Sequence, residues 1–290
     1  MPYLGAVQRP RAVYGWRDAL WSGTYGCTSR TMSVPPALFD SALRTVRRDR
    51  AARETSSELE TLIASELLER LEGVRHEFRT ALVINTGRGG VAAHLRALGM
   101  DVCETDHGPA FAAAAGALLC DEDRLPRALG RFDLVVAANG FDTINDLPGA
   151  LIAARRALNP RGLFLGCMIG APTLRTLRQA ATLADAASGF AVARFHPQVD
   201  VRAAGDLLVR AGFVLPVADR ITLDLSYHDV GRLVGDLRAV GGSNAMVDRH
   251  RVTREWYRRL DEAFRAAQNG NGRIVETITL VAMTGWSTDS

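Results

Sequence analysis

The chain has 290 residues, 47% of them hydrophobic and 23% charged, with 35 basic and 32 acidic side chains and a formal net charge of +3. That length buries a sizeable core in one domain with extensions or in two small ones, and the composition excludes a disordered chain. The charge is too small to argue for nucleic acid, and no apolar run reaches the ~18–20 residues that span a bilayer, so a cytoplasmic protein is expected, with peripheral membrane contact left open.

Every basic residue is an arginine, which excludes lysine chemistry. The cysteines Cys27, Cys103, Cys120 and Cys167 lack CxxC spacing and read as buried thiols in a reducing compartment. Residues 1–31 carry prolines, glycines, Trp16 and Trp21 without a period, as a poorly ordered extension would. A start at Met32, a functional tail and a targeting segment are all open readings of it.

Residues 32–75 read as an N-terminal helical segment. Between Asp40 and Arg75, Leu59, Leu62, Ile63, Leu67, Leu68 and Leu71 recur at helical spacing, which predicts an amphipathic helix. Its Arg44, Arg47, Arg48, Arg50 and Arg53 form a basic patch, expected on a solvated face, with an acidic partner or membrane surface as the other reading.

From 76 to 290 the pattern alternates. Strands are predicted at 81–85, 101–105, 117–120, 132–138 and 162–168, with helices at 89–98, 108–116, 124–129 and 147–158 between them. Such alternation means an α/β domain, a parallel sheet with helices on both faces and right-handed crossovers. Helices at 172–187, 201–211, 227–239 and 248–266 and strands at 213–225 and 274–284 follow. Segments of about 172–200 and 227–270 are expected to form a helical cap over the ligand.

The chemistry is expected at the carboxyl ends of the strands. Residues Ala81-Leu-Val-Ile-Asn-Thr-Gly-Arg-Gly-Gly-Val91 pass from a buried strand into a glycine turn, where Gly87 and Gly89 let a ligand approach bare backbone. The loop amides and the helix behind them suit the carboxylate end of S-adenosylmethionine (SAM). Asp106, about twenty residues past the loop, suits the ribose hydroxyls, and Asp121 the adenine amino group; each alone could equally be a solvated or capping acid. Asn139-Gly-Phe-Asp142 lies where a transferable methyl would point, with Asp142 the candidate base or else a structural loop acid. His94, His107, His196, His228 and His250 are scattered, so no metal site is expected.

From about Leu38 to Trp286 the sequence resembles the bacterial relatives of the mitochondrial complex I assembly factor, within the class I SAM-dependent methyltransferase superfamily. The resemblance is carried by Leu38-Phe-Asp40, Arg50-Ala-Ala-Arg53, Thr86-Gly-Arg-Gly89, Asp121-Glu122, Phe132-Asp-Leu-Val-Val136, Asn145-Asp-Leu-Pro148 and Leu158-Asn-Pro-Arg-Gly162. Thr173-Leu-Arg-Thr-Leu-Arg178, Ala204-Gly-Asp-Leu-Leu208 and Gly241-Gly-Ser-Asn244 extend it past the general fold. It implies a Rossmann-like, mostly parallel seven-stranded sheet, with SAM bound by Asn85, Gly87, Gly89, Asp106, Asp121 and Asn139. The implied acceptor is a small molecule or a protein side chain. The alternatives implied are hydroxylation of an arginine on a respiratory complex I subunit, or a non-catalytic assembly protein.

Three positions depart from the pattern. Val83 and Asn85 stand where the family has an acid and its first glycine, and Asp142-Thr143 replaces a His-Trp pair. Each loss in the loop is expected to weaken SAM binding by about 1–3 kcal/mol where a partner is left unpaired.

Overall fold

The structure is a computed structural model that describes residues 36–54, 58–187, 189 and 192–288; the expectations for residues 1–31, Cys27 among them, lie outside the described residues. Helices α1 (Ser41–Ala51) and α2 (Glu58–Glu72) come first, so the single helix expected from Asp40 to Arg75 is two. The periodic leucines all belong to α2, whose Leu59, Ile63, Leu67 and Leu71 are buried one turn apart. Helix α1 has no such stripe and starts because the Asp40 carboxylate accepts the Leu43 N–H at 3.0 Å.

There follow β1 (Thr80–Ile84), α3 (Gly90–Ala97), β2 (Asp101–Asp106), α4 (Pro109–Ala115), β3 (Leu118–Leu119) and β4 (Phe132–Ala138). The helix expected at 124–129 is instead two 3₁₀ turns, Glu122–Arg124 and Arg127–Leu129. Pro126 holds Leu125 extended, at φ −53° and ψ 125°, and so divides them. Next come α5 (Leu147–Arg156), β5 (Leu158–Ile169), α6 (Arg175–Ala186), α7 (Val201–Ala211), β6 (Val214–Tyr227), α8 (Val230–Ala239), α9 (Arg254–Arg265) and β7 (Ile274–Trp286). Helix α9 begins six residues later than expected, where Thr253 Oγ1 accepts the Trp256 N–H at 3.1 Å.

The sheet has seven strands in the order β3-β2-β1-β4-β5-β7-β6. All are parallel except β7, which runs antiparallel to both β5 and β6. Chain order reverses between β1 and β4, which opens a crevice at their carboxyl ends.

Both faces of the sheet are covered at its centre, so β1 is apolar from Ala81 to Ile84 and its side chains divide by pleat. Ala81 and Val83 face a cluster built with α2, α3, α6, α8 and α9, and Leu82 and Ile84 one built with α5 and α7. The cysteines correct one expectation: Cys167 is buried, but Cys103 and Cys120 are only half-buried. Among the described residues no helix is long and apolar enough to cross a membrane.

Candidate functional site

Where β1 ends, Asn85, Gly87 and Gly89 take left-handed backbone at φ 58°, 57° and 78°. Asparagine is one of the few L residues that tolerates this region, so Asn85 preserves the turn a glycine would make. What changes is the space in front of it. The Asn85 amide is buried, donating from Nδ2 to Glu122 Oε1 at 2.6 Å and to the Asn139 carbonyl at 2.9 Å, while Oδ1 lies 2.9 Å from His107 Nδ1. Val83 is wholly buried in the apolar cluster.

Asp106, at the end of β2, is fully buried. Its Oδ1 accepts from Arg48 Nε at 3.1 Å and the Gly108 N–H at 2.8 Å, and its Oδ2 from Arg48 Nη2 at 2.7 Å and the Gly87 N–H at 3.1 Å. Four donors saturate a carboxylate. Burial alone would raise this carboxyl, but the charge and hydrogen bonds of Arg48 outweigh it and hold the group below the usual aspartate range.

Asp121 sits at the head of the first 3₁₀ turn, half-buried and capping nothing. Its neighbour Glu122 is the buried acid. It accepts from Arg44, with Nη1 to Oε2 at 2.8 Å, and from Asn85, and lies 3.2 Å from His107 Nδ1. Burial would raise Glu122; the Arg44 charge and the hydrogen bonds from His107 and Arg44 hold it well below the usual range. In the run Asp121-Glu-Asp123 nothing marks which acid turns inward.

The solvated face expected for the α1 arginines is therefore corrected for two of them. Arg44 and Arg48, one turn apart, both enter the crevice. Arg44 also donates to Thr143 Oγ1 at 2.8 Å and the Gly140 carbonyl at 3.1 Å, and the Arg48 guanidinium lies 4.4 Å from the centroid of the Phe111 ring. Arg50 and Arg53 are exposed and Arg47 is half-buried.

On the β4 side, Asn139 takes φ 79° and donates from Nδ2 to the Val240 carbonyl at 3.3 Å, while its buried Oδ1 has no hydrogen-bond partner among the described residues. Asp142, half-buried in the next turn, is pushed up to about 6 by burial. Two cavities meet here. The crevice retains about 20 Å³ between Arg44, Arg48, His107 and Asn139, and a second cavity of about 380 Å³ lies under α1, α6, α8 and α9; Asp142, Ile169 and Gly242 line both.

The polar groups in the crevice suit SAM. Asn139 Oδ1 is a vacant acceptor for an ammonium, Asp106 suits a diol, and a side-chain atom at Gly89 would meet nothing within 4 Å. The volume is another matter, since ligand pockets start at about 300 Å³. Arg44 and Arg48 fill the crevice, so a ligand the size of SAM would need them displaced. Asn85, Gly87, Asp106 and Asn139 are thus brought together, Gly89 opens α3 behind them, Asp121 lies half-buried next to Glu122, and Asp142 stands at the boundary of the two cavities. Among the described residues no three His, Cys, Asp or Glu side chains converge as metal ligands.

Residues 82–166 match the methyltransferase domain family. The chain is 30% identical to human arginine-hydroxylase NDUFAF5, mitochondrial, with 97% of this chain and 85% of that one covered. It is 31% identical to the malonyl-[acyl-carrier protein] O-methyltransferase of Laribacter hongkongensis, covering 86% of this chain and 87% of the other. Among solved structures, a candidate methyltransferase from Bacillus halodurans C-125 superposes with a TM-score of 0.51 at 14% identity, covering 77% of this chain and 99% of that one, a likeness of fold alone.

Proposed function

Because the chain belongs to the class I SAM-dependent methyltransferase superfamily, whose cofactor is SAM, we propose that it transfers a methyl group to an acceptor held in the 380 Å³ cavity. The observation that carries this reading is the shared wall: Asp142, Ile169 and Gly242 line both the crevice and the larger cavity. A methyl donor on one side and an acceptor on the other would meet there.

When bound, SAM supplies an electrophilic methyl group on a sulfonium, and the protein's task is then mainly alignment. The loop from Asn85 to Gly90 would hold the amino-acid end, and Asn139 Oδ1, a buried acceptor without a partner among the described residues, would take its ammonium. Asp106, if released by Arg48, would accept from the ribose hydroxyls, and Asp121 would take the adenine amino group. Above about pH 6 Asp142 is a carboxylate and takes the proton of a protonated acceptor atom. The acceptor is a small molecule or a protein side chain, and the setting cytoplasmic.

The match to NDUFAF5 over 97% of the chain supports a second reading, hydroxylation of an arginine on a respiratory complex I subunit. Calorimetric titration of the full chain with SAM and with S-adenosylhomocysteine (SAH) tests the first. Micromolar binding of both is expected. A folded sample that binds neither up to millimolar ligand refutes methyl transfer and leaves arginine hydroxylation or a non-catalytic assembly protein.

A further inference from the structure

We propose that the 380 Å³ cavity is a binding site for an amphiphilic anion, a carboxylate or phosphate head on an apolar body, with the exposed Arg50 and Arg238 at its mouth and the half-buried Arg47 beside them receiving the head. As a binding site this stands alone; only its role as the acceptor site rests on the methyl-transfer reading.

The argument starts from an imbalance of charge. Arg47, Arg50, Arg178, Arg194, Arg238 and Arg249 line this one cavity, and Asp142 is the lone acid among its walls. Three of the six already have partners. Arg194 forks onto Asp185 at 2.7 and 3.0 Å, Arg249 lies 3.3 Å from Asp40, and Arg178 donates to the Thr173 carbonyl at 2.9 Å beneath the Phe195 ring. Arg47, Arg50 and Arg238 form no ion pair among the described residues.

The Arg47 cation is disfavoured by burial first and then by Arg249, Arg50 and Arg238, which together outweigh the attraction of Asp40. The Arg47 Nε is also buried with no acceptor among the described residues, a donor left without the bond it needs. An incoming anion would supply that acceptor and relieve the repulsion together, and forked guanidinium groups suit carboxylate and phosphate alike. His196 offers no competing charge. Its Nε2 accepts the Ala245 N–H at 2.9 Å, and burial followed by Arg47 and Arg178 pushes the ring down to about 4, so it stays neutral.

The apolar part follows from burial. Arg50, Arg238 and Arg249 are exposed, whereas Leu177, Leu237, Trp256 and Leu260 are buried beneath them. Charge stands at the mouth and hydrocarbon on the floor, in a volume within the usual range for small-molecule sites. A guanidinium or ammonium ligand would add a further positive charge to six.

The test is calorimetry on the full chain with octanoate, octyl phosphate, octanol and octylguanidinium, and with SAH in the same samples. Octanoate or octyl phosphate should bind at least about tenfold more tightly than octanol, the tighter of the two identifying the head, and octylguanidinium should not bind. Arg47→Gln and Arg238→Gln, checked for an unchanged thermal transition, should each weaken the anion about tenfold and leave octanol unaffected. Octanol binding as tightly as the anions, binding of octylguanidinium, or anion affinity unchanged in both variants overturns the inference. Anion binding without SAH binding supports it and refutes methyl transfer alone; SAH binding without anion binding overturns it and leaves methyl transfer standing.

Discussion

Replacing Arg48 with glutamine (R48Q) should make the protein less stable and a better binder of SAH. Arg48 and Asp106 are 6% and 0% exposed and joined by bonds of 2.7 and 3.1 Å. Removing one partner of a buried ion pair costs about 3–5 kcal/mol. The Gly87 and Gly108 N–H groups continue to hold the carboxylate, which puts the expected loss near ~3 kcal/mol, the low end. The same contact keeps the crevice shut, and a ligand that needs the open form has its apparent affinity reduced by the open fraction. At about 1.4 kcal/mol per factor of ten, removing ~3 kcal/mol of closure tightens SAH binding by up to about 100-fold. The pH dependence should change as well. Because Asp106 is held below its ordinary value, its contribution is present above that value and lost as pH falls through the depressed one, and R48Q should lack this acid limb. Urea unfolding at several pH values and SAH calorimetry measure both effects, with Asp106→Asn, which should abolish binding, as the control. An R48Q protein that is destabilised but binds SAH no better than the parent would refute the idea that α1 closes the crevice.

Asn85→Gly keeps the left-handed turn while removing an amide bonded to Glu122, Asn139 and His107; calorimetry and thermal melts should show SAH binding about tenfold tighter and stability lower by about 1 kcal/mol. For Asp142 the sign is opposite to that for Asp106. Its folded pKa is raised to about 6, so the native state binds more protons between the ordinary aspartate value and 6, and stability falls as pH rises through that window. Asp142→Asn should flatten that slope and gain about 1–2 kcal/mol at pH 8, as read by denaturant titration; an unchanged slope would show that the carboxyl is not perturbed.

The order of strands and helices was legible because both faces of the central strands are buried: β1, β4 and β5 carry near-continuous apolar runs and alternate with helices. What failed was local. Residues 52–54, where α1 has ended, carry no proline or glycine, and α1 has no leucine stripe to show that it is a separate helix. Of the site, the turn at Asn85–Gly89 and the acid at Asp106 could be read from glycines and spacing. Arg44 and Arg48 could not, because an arginine on a helix reads as solvated until the acid it meets is known, and here those acids lie 78 and 58 residues away. Glu122 was hidden among flanking acids for the same reason.

The place of β7 constrains how the polypeptide can mature during synthesis. β6 is bonded in the sheet only to β7, which fills the slot between β5 and β6 and is made after all the other strands. Until residues 274–286 emerge from the ribosome, β6 has nowhere to attach and β5 keeps an open edge, although β1 to β5 can already assemble. A chain cut short before Ile274 would therefore lose two strands rather than one, and the open edge of β5 would be free to pair with another molecule.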